Sequence, residues 1–245
     1  MLEGLNIAAA GMAAQQQRLD AVSNDLANAN TNGYKHQRVG FRDLVYDQTG
    51  RSSAAGVRTG SGAAAVDAGR AFAQGALQRT DRPLDVAIQG DGFLRIRLAD
   101  GREALTRDGD LHIDGERRLV TASGAVVQPA MTVPEGVADQ DVSIDADGTV
   151  LAARRRIGRL DVLTVRSLQG LAAAGDNAFV TTAASGNAVA APATTTLSQG
   201  ALEGSNTDMA QAMVDMIDAQ RTYQLTSKAI QTADQMMEIA NGVKR

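Results

Sequence analysis

The chain contains no cysteine and no tryptophan. Disulfide bonds, thiolate catalysis and cysteine-ligated zinc are therefore excluded. Aromatic residues make up only 3% of the 245 residues, and there are four prolines. Neither sign of charge is in large excess: the net charge is -4, which points neither to nucleic acid nor to an anionic membrane surface. No apolar run approaches the length of a membrane span. The N-terminal "MLEGLNIAAAGMAA" is apolar, but Glu3 stands where a signal peptide needs basic residues, and the first basic residue is Arg18. The expectation is that no signal peptide is cleaved from it.

Catalytic chemistry is thinly represented too. The two histidines, His36 and His112, lie in different segments, and there is no G-x-S-x-G elbow. Asp145-Ala146-Asp147-Gly148 has the look of part of a calcium loop, but Ser143 and Arg154 stand where that loop needs its first aspartate and its glutamate. "GDGF", Gly90 to Phe93, fails the dinucleotide fingerprint because Arg95 occupies the third glycine position. We therefore assign no catalytic residue, no metal ligand, no cofactor and no small-molecule substrate. The basic cluster "ARRRIGR", Ala153 to Arg159, has no interleaved aromatics. It reads first as a solvated hairpin turn, and second as a contact for an acidic surface on a partner.

What the chain does have is period. Leu5, Met12, Leu19 and Leu26 fall seven residues apart, with Ala8, Gln15, Val22 and Ala29 three residues after each. Near the other end Met209, Met216, Tyr223, Ile230 and Met237 form one seven-residue row. Ala212, Ala219, Thr226, Ala233 and Ala240 form the row three residues on. These are a/d heptad patterns. The second, free of Pro and Gly from Asn206 to Ala240, predicts a helix about 50 Å long. "SNTD", Ser205 to Asp208, offers its N-cap.

Between the ends the texture changes. Residues 48–65, "QTGRSSAAGVRTGSGAAA", have no clear period and read as an extended or flexible connection. From about residue 80, short alternating runs are punctuated at Asp91-Gly92, Asp100-Gly101, Asp108-Gly109, Asp114-Gly115 and Asp147-Gly148. That spacing predicts hairpins in an antiparallel sheet. The fold expected is α+β, mainly β, with terminal helices paired as a coiled coil around an all-β antiparallel middle domain. Its divisions are 1–33, an assembly helix with an asparagine-rich joint; 34–80, a connecting region; 81–185, the β domain; 186–205, a linker; and 206–245, the second assembly helix.

The joint, "ANANTNGYK" from Ala27 to Lys35, resembles the signature that follows the N-terminal helix of bacterial flagellar rod and hook proteins. "LDVAIQGDGF", "LTRDGDL", "LVTASG" and "VQPAMTVPEG" are similar to the start of that family's β domain, and "QGALEGSNTDMAQAMVDMIDAQRTYQLTSKAI" to its C-terminal helix. The chain has no room for the extra outer domain of the longer hook members, and "GMAAQQQRLD" and "DQMM" look most like the distal type of rod member, the proximal type next. Asp25 stands where the family usually has asparagine, and Thr207 where it often has valine. The resemblance implies a non-enzymatic axial subunit of the flagellar basal body, exported by the flagellar type III apparatus to the periplasm or cell wall. It would self-associate into a helical tube with other rod and hook proteins, with bushing rings as a further partner. A non-catalytic secreted adhesin with a helical stalk is the alternative from another class. Leu5, Met12, Leu19, Leu26, Met209, Ala212, Met216, Ala219, Tyr223, Ile230 and Met237 are the expected assembly interface. Asn24, Asn28, Asn30, Thr31, Gly33 and Tyr34 are the expected junction motif.

Overall fold

The computed structural model describes residues 2–44, 46–47, 59–60 and 62–242. Contacts divide the chain into two compact units. A helical unit takes in the described residues of Met1–Ala27, Gln37–Gly69 and Asp208–Arg245, and a β unit takes in Asn28–His36 and Arg70–Thr207. The architecture is α+β, with β structure predominating outside two terminal helices, as the sequence pattern predicts.

In the helical unit, α1 spans Leu2–Ala27 and α2 spans Met209–Gly242. Both segments lack proline and are rich in alanine, the residue with least to lose on entering a helix. Asp208 caps α2: its carboxylate accepts the N–H groups of Ala210 at 2.9 Å and Gln211 at 3.1 Å, satisfying donors that the helix leaves without partners. The two helices lie side by side, and the Arg18 guanidinium meets the Asp215 carboxylate at 3.1 Å. Strands Gln37–Asp43 and Ala63–Arg70 pair with each other, as do Tyr46–Asp47 and Thr59–Gly60. Of the glycine-rich stretch 48–65, residues 48–58 and 61 lie outside the described residues. Its end, however, opens the eight-residue strand Ala63–Arg70.

The β unit is built on a nine-stranded sheet. Its main path runs Ala172–Gly175, Ala178–Val180, Glu103–Thr106, Phe93–Arg97, Val126–Val127, Leu119–Thr121 and Leu111–Ile113. Val162–Thr164 also pairs with Phe93–Arg97 and carries Val189–Ala190 on its other side. Leu94, Ile96, Leu111, Leu119 and Val127 of this sheet, with Val86 and Ile88 from a strand outside it, are all within 1% of complete burial in one core. At about 1.5–3 kcal/mol for each large apolar side chain, this core outweighs any single contact described below. Three of the chain's four phenylalanines, Phe72, Phe93 and Phe179, make a second cluster, edge to face with centroids 5.2–6.1 Å apart.

Three of the five Asp-Gly turns close hairpins. Asp100-Gly101 joins Phe93–Arg97 to Glu103–Thr106, Asp114-Gly115 joins Leu111–Ile113 to Leu119–Thr121, and Asp147-Gly148 joins Val142–Ile144 to Thr149–Ala152. The last is the calcium-loop lookalike. It is a tight turn whose Asp147 carboxylate accepts the Thr149 N–H at 2.9 Å. The other two turns redirect the chain, because their flanking strands pair elsewhere. The Gly109 carbonyl, for instance, accepts the Val86 N–H at 3.0 Å. Residues 186–205 differ most from the loose linker that their polar texture suggests. Thr196–Gln199 pairs with Val86–Gln89, and Ala201–Glu203 with Leu77–Arg79. Leu197 and Leu202 are buried there, so this segment belongs to the β fold rather than hanging from it.

Candidate functional site

The asparagine-rich segment folds as two consecutive turns in the β unit. Thr31 donates its N–H to the Asn28 carbonyl at 3.1 Å and its hydroxyl to the Asn28 side chain at 3.1 Å, and Tyr34 donates its N–H to the Thr31 carbonyl at 3.3 Å. Gly33 has φ +68°, and a Cβ there would stand 2.7 Å from the Asp108 nitrogen. Both the left-handed conformation and the close approach require glycine. Tyr34 is buried, with the Arg70 guanidinium over its ring at 5.5 Å. Asn30 is exposed, and the Asn32 carbonyl accepts the Asn177 side-chain N–H at 2.8 Å. Asn24 lies on α1, in the helical unit, as does the buried Asp25, which accepts the Gln37 N–H at 3.0 Å. The position that departs from the family pattern thus fixes the start of a strand.

A residue outside the predicted motif ties the segment down. Asn206 accepts the His36 N–H at 2.9 Å and donates its side-chain N–H to the Ala71 and Ala73 carbonyls, at 2.7 and 3.0 Å. Its own N–H reaches the Tyr34 carbonyl at 3.3 Å. The chain that has just left α1 is therefore stitched to the chain about to enter α2.

Beneath this stitching lies a buried ionic clasp. Lys35 and Glu203 are fully buried and Arg107 is 2% exposed. One Glu203 oxygen accepts Lys35 Nζ at 2.5 Å and the Gly75 N–H at 2.8 Å, and the other accepts Arg107 at 3.0 Å. Lys35 also donates to the Ala73 carbonyl at 2.8 Å, and Arg107 to the Gly90 carbonyl at 2.8 Å with its guanidinium over the Phe93 ring. Burial pulls the Lys35 ammonium below the usual lysine range, the Glu203 carboxylate opposes that, and Arg107 adds to it. Gly75 lets the strands close: a Cβ there would stand 2.1 Å from the Gly204 carbonyl oxygen. In the sequence these charges look like ordinary surface residues. The one signal is that Lys35 is among only three lysines in a chain whose cations are otherwise arginine.

Next to Arg107 the electrostatics reverse. Asp108 is pushed up to about 6, chiefly by burial and further by the carboxylates of Asp110 and Asp85, against the Asp110 N–H that it accepts. The folded value lies above the ordinary 3.8, so the fold holds this proton more tightly than the unfolded chain does. The contribution to stability is complete below 3.8 and is lost as pH rises through about 6. Asp108→Asn keeps an acceptor for the Asp110 N–H and removes the charge. It is expected to stabilise the protein by about 1–3 kcal/mol at pH 7.5 and by almost nothing at pH 4. Thermal melts at the two pH values check this; an equal shift at both would contradict it.

In the helical unit, the predicted interface residues divide by exposure. Leu5, Met12, Leu19 and Leu26 on α1, with Met216, Ile230 and Met237 on α2, are half-buried. Ala212 and Ala219 are buried, and Met209 and Tyr223 are exposed. Among the described residues of α1 the most deeply buried are Ala14, Ala21 and Asp25; Ala14 and Ala21 lie two residues after Met12 and Leu19 of the predicted row, and Asp25 one residue before Leu26. The structure also reveals a second apolar stripe that the heptad count passes over. Met213, Val214, Ile217, Leu225, Met236 and Ile239 are all exposed, Leu225 at 70%. At 100° per residue they fall within an arc of about 140°, on the side of α2 opposite Ala212 and Ala219.

Comparison with known proteins gives this arrangement its context. Three family descriptions match in chain order: "Flagella basal body rod protein" over residues 5–35, "Flagellar hook protein FlgE/F/G D1 domain" over 87–152, and "Flagellar basal body rod FlgEFG protein C-terminal" over 198–243. The flagellar basal-body rod protein FlgG of Borreliella burgdorferi is 39% identical over the whole of both chains. The chain belongs to the flagellar basal-body rod family. The rod protein FlgG of Caulobacter vibrioides is 37% identical, over 99% of this chain and all of its own, and that of Bacillus subtilis 34% over the whole of both. In this rod-family chain the clasp acquires a further meaning. Lys35 lies in the first matched segment, Arg107 in the second and Glu203 in the third. The three pieces that define the family are joined at one buried carboxylate.

Proposed function

We infer that this chain is a structural subunit of the flagellar basal-body rod, of the distal type rather than the proximal one, and that it polymerises into the axial shaft between motor and hook. One observation carries the reading. A chain related along its whole length to rod proteins keeps six large apolar side chains exposed on the outer side of a 34-residue helix. Patches of this kind mark surfaces that partners cover. Burying each would contribute about 1.5–3 kcal/mol when copies assemble.

The terminal helices pair as an antiparallel coiled coil in this reading. With Arg18 against Asp215, an antiparallel register sets Ala21 level with Ala212 and Ala14 level with Ala219, and all four alanines are buried. Small residues let the helices approach closely and leave the larger ones, Met12, Leu19, Met216, Tyr223, Ile230 and Met237, at the margins for neighbours. Among the described residues no helix is long and apolar enough to cross a membrane. In the same reading the subunit reaches the periplasm or cell wall through the flagellar export apparatus, where it meets other rod and hook proteins and the bushing rings. A strain lacking the gene is expected to build no hook or filament and not to swim, with both restored by a plasmid copy. Normal swimming without the gene would refute the proposal.

A further inference from the structure

Strands Val142–Ile144, Thr149–Ala152 and Arg155–Arg159 form a small antiparallel sheet of their own in the β unit. Val142, Ile144, Val150 and Ala152 are buried on one face. On the other, the register aligns Ser143, Leu151 and Arg156 across the three strands. Asp141 and Asp145 share the alternation of Ser143 and are exposed along one edge of that face. Arg156 is exposed along the other edge, and Arg154 at the hairpin tip. Two strand spacings, about 10 Å, separate the acidic edge from the basic one.

These charges are unspent. Among the described residues, Asp139, Asp141, Asp145, Arg154, Arg155 and Arg156 form no ion pair. Other turns of the same unit neutralise themselves: Arg102 pairs with Asp100 at 2.6 Å and Arg118 with Asp114 at 2.8 Å. The hairpin tip also carries Ala153 and Arg154 at φ +47° and +66°, a conformation usually given to asparagine or glycine. The fold accepts that strain and places an arginine there.

We propose that this sheet is a contact between copies of the chain, the arginine hairpin of one copy against the Asp141–Asp145 edge of the next, with half-buried Leu151 between them. Both signs lie on one face, so a simple polyanion meets repulsion as well as attraction, whereas a second copy supplies the complement of each. Such a head-to-tail contact does not close on itself and repeats along a helical assembly. The proposal rests on the reading of the chain as an axial polymer.

The test uses full-length variants in the strain lacking the gene, counting hooked basal bodies by electron microscopy. Arg154→Glu with Arg156→Glu, and separately Asp141→Arg with Asp145→Arg, are each expected to lower the count about tenfold or more, since like charges then face each other. All four changes together restore complementarity and should return it to within about threefold of the unmodified chain. The neutral pair Arg154→Gln with Arg156→Gln should fall between, and covers the event that a reversal fails to fold by circular dichroism. Counts unchanged in every variant would overturn this contact while leaving the rod reading intact, provided that the empty strain lacks hooks. Failure of the fourfold variant to rescue, with its fold preserved, would overturn it in favour of another charged partner. Hooks in the empty strain would instead refute the rod reading itself.

Discussion

Replacing Glu203 by alanine is expected to destabilise the β unit by about 3–5 kcal/mol. The substitution leaves Lys35 and Arg107, both essentially without solvent contact, facing each other with no carboxylate between them. It also removes the acceptor of the Gly75 N–H. The large cost comes from orphaning buried cations, since an intact buried pair contributes little beyond repaying its own desolvation. Glu203→Gln should therefore recover only part of the loss: it restores acceptor capacity to Gly75 and brings no negative charge. Denaturant melts followed by circular dichroism measure the difference. A loss below about 1 kcal/mol, the scale of an exposed ion pair, would show that the clasp is solvated in solution. Because each charge comes from a different one of the three family-defining segments, Glu203→Ala is also expected to reduce assembly.

Met216→Asp combined with Tyr223→Asp should abolish assembly while leaving the β unit's melt unchanged. Neither residue belongs to the β unit, so its core has no stake in them. Both stand in the seven-residue row of α2, Met216 half-buried and Tyr223 37% exposed in the single chain. Loss of two apolar contacts, with two carboxylates introduced in their place, weakens each subunit contact by at least about 3 kcal/mol, or roughly a hundredfold. A polymer repeats that loss at every step. Hooked basal bodies at unmodified numbers would show that this row faces solvent in the assembly.

The features legible in the sequence are those whose partners lie close along the chain. Seven-residue rows announce both helices, and Asp-Gly pairs announce three hairpins, because each depends on neighbours within a few residues. What escapes is set by long-range pairing. Thr196–Gln199 and Ala201–Glu203 read as loose linker because their partner strands begin more than 100 residues earlier, at Val86 and Leu77. Asp91-Gly92 and Asp108-Gly109 carry the same turn chemistry as the true hairpins, and only distant partners distinguish them. The clasp is the extreme case. Lys35, Arg107 and Glu203 become a site only when three segments meet, and nothing local separates a buried glutamate from a solvated one. Asp25 is similar: it stands in a helix like any polar residue, and its role appears with the Gln37 N–H. The second stripe on α2 was legible in principle, since Met213, Val214 and Ile217 are apolar by inspection. A heptad count assigns one seam per helix and so passes over a helix with two apolar faces.

Whether this chain is a piece of the flagellar shaft is decided by basal bodies isolated from the strain lacking the gene. By electron microscopy these structures are expected to end before the hook, and restoring the gene to return both the hook and the chain itself to the isolated shaft. Complete hooked basal bodies from cells without the gene would contradict it.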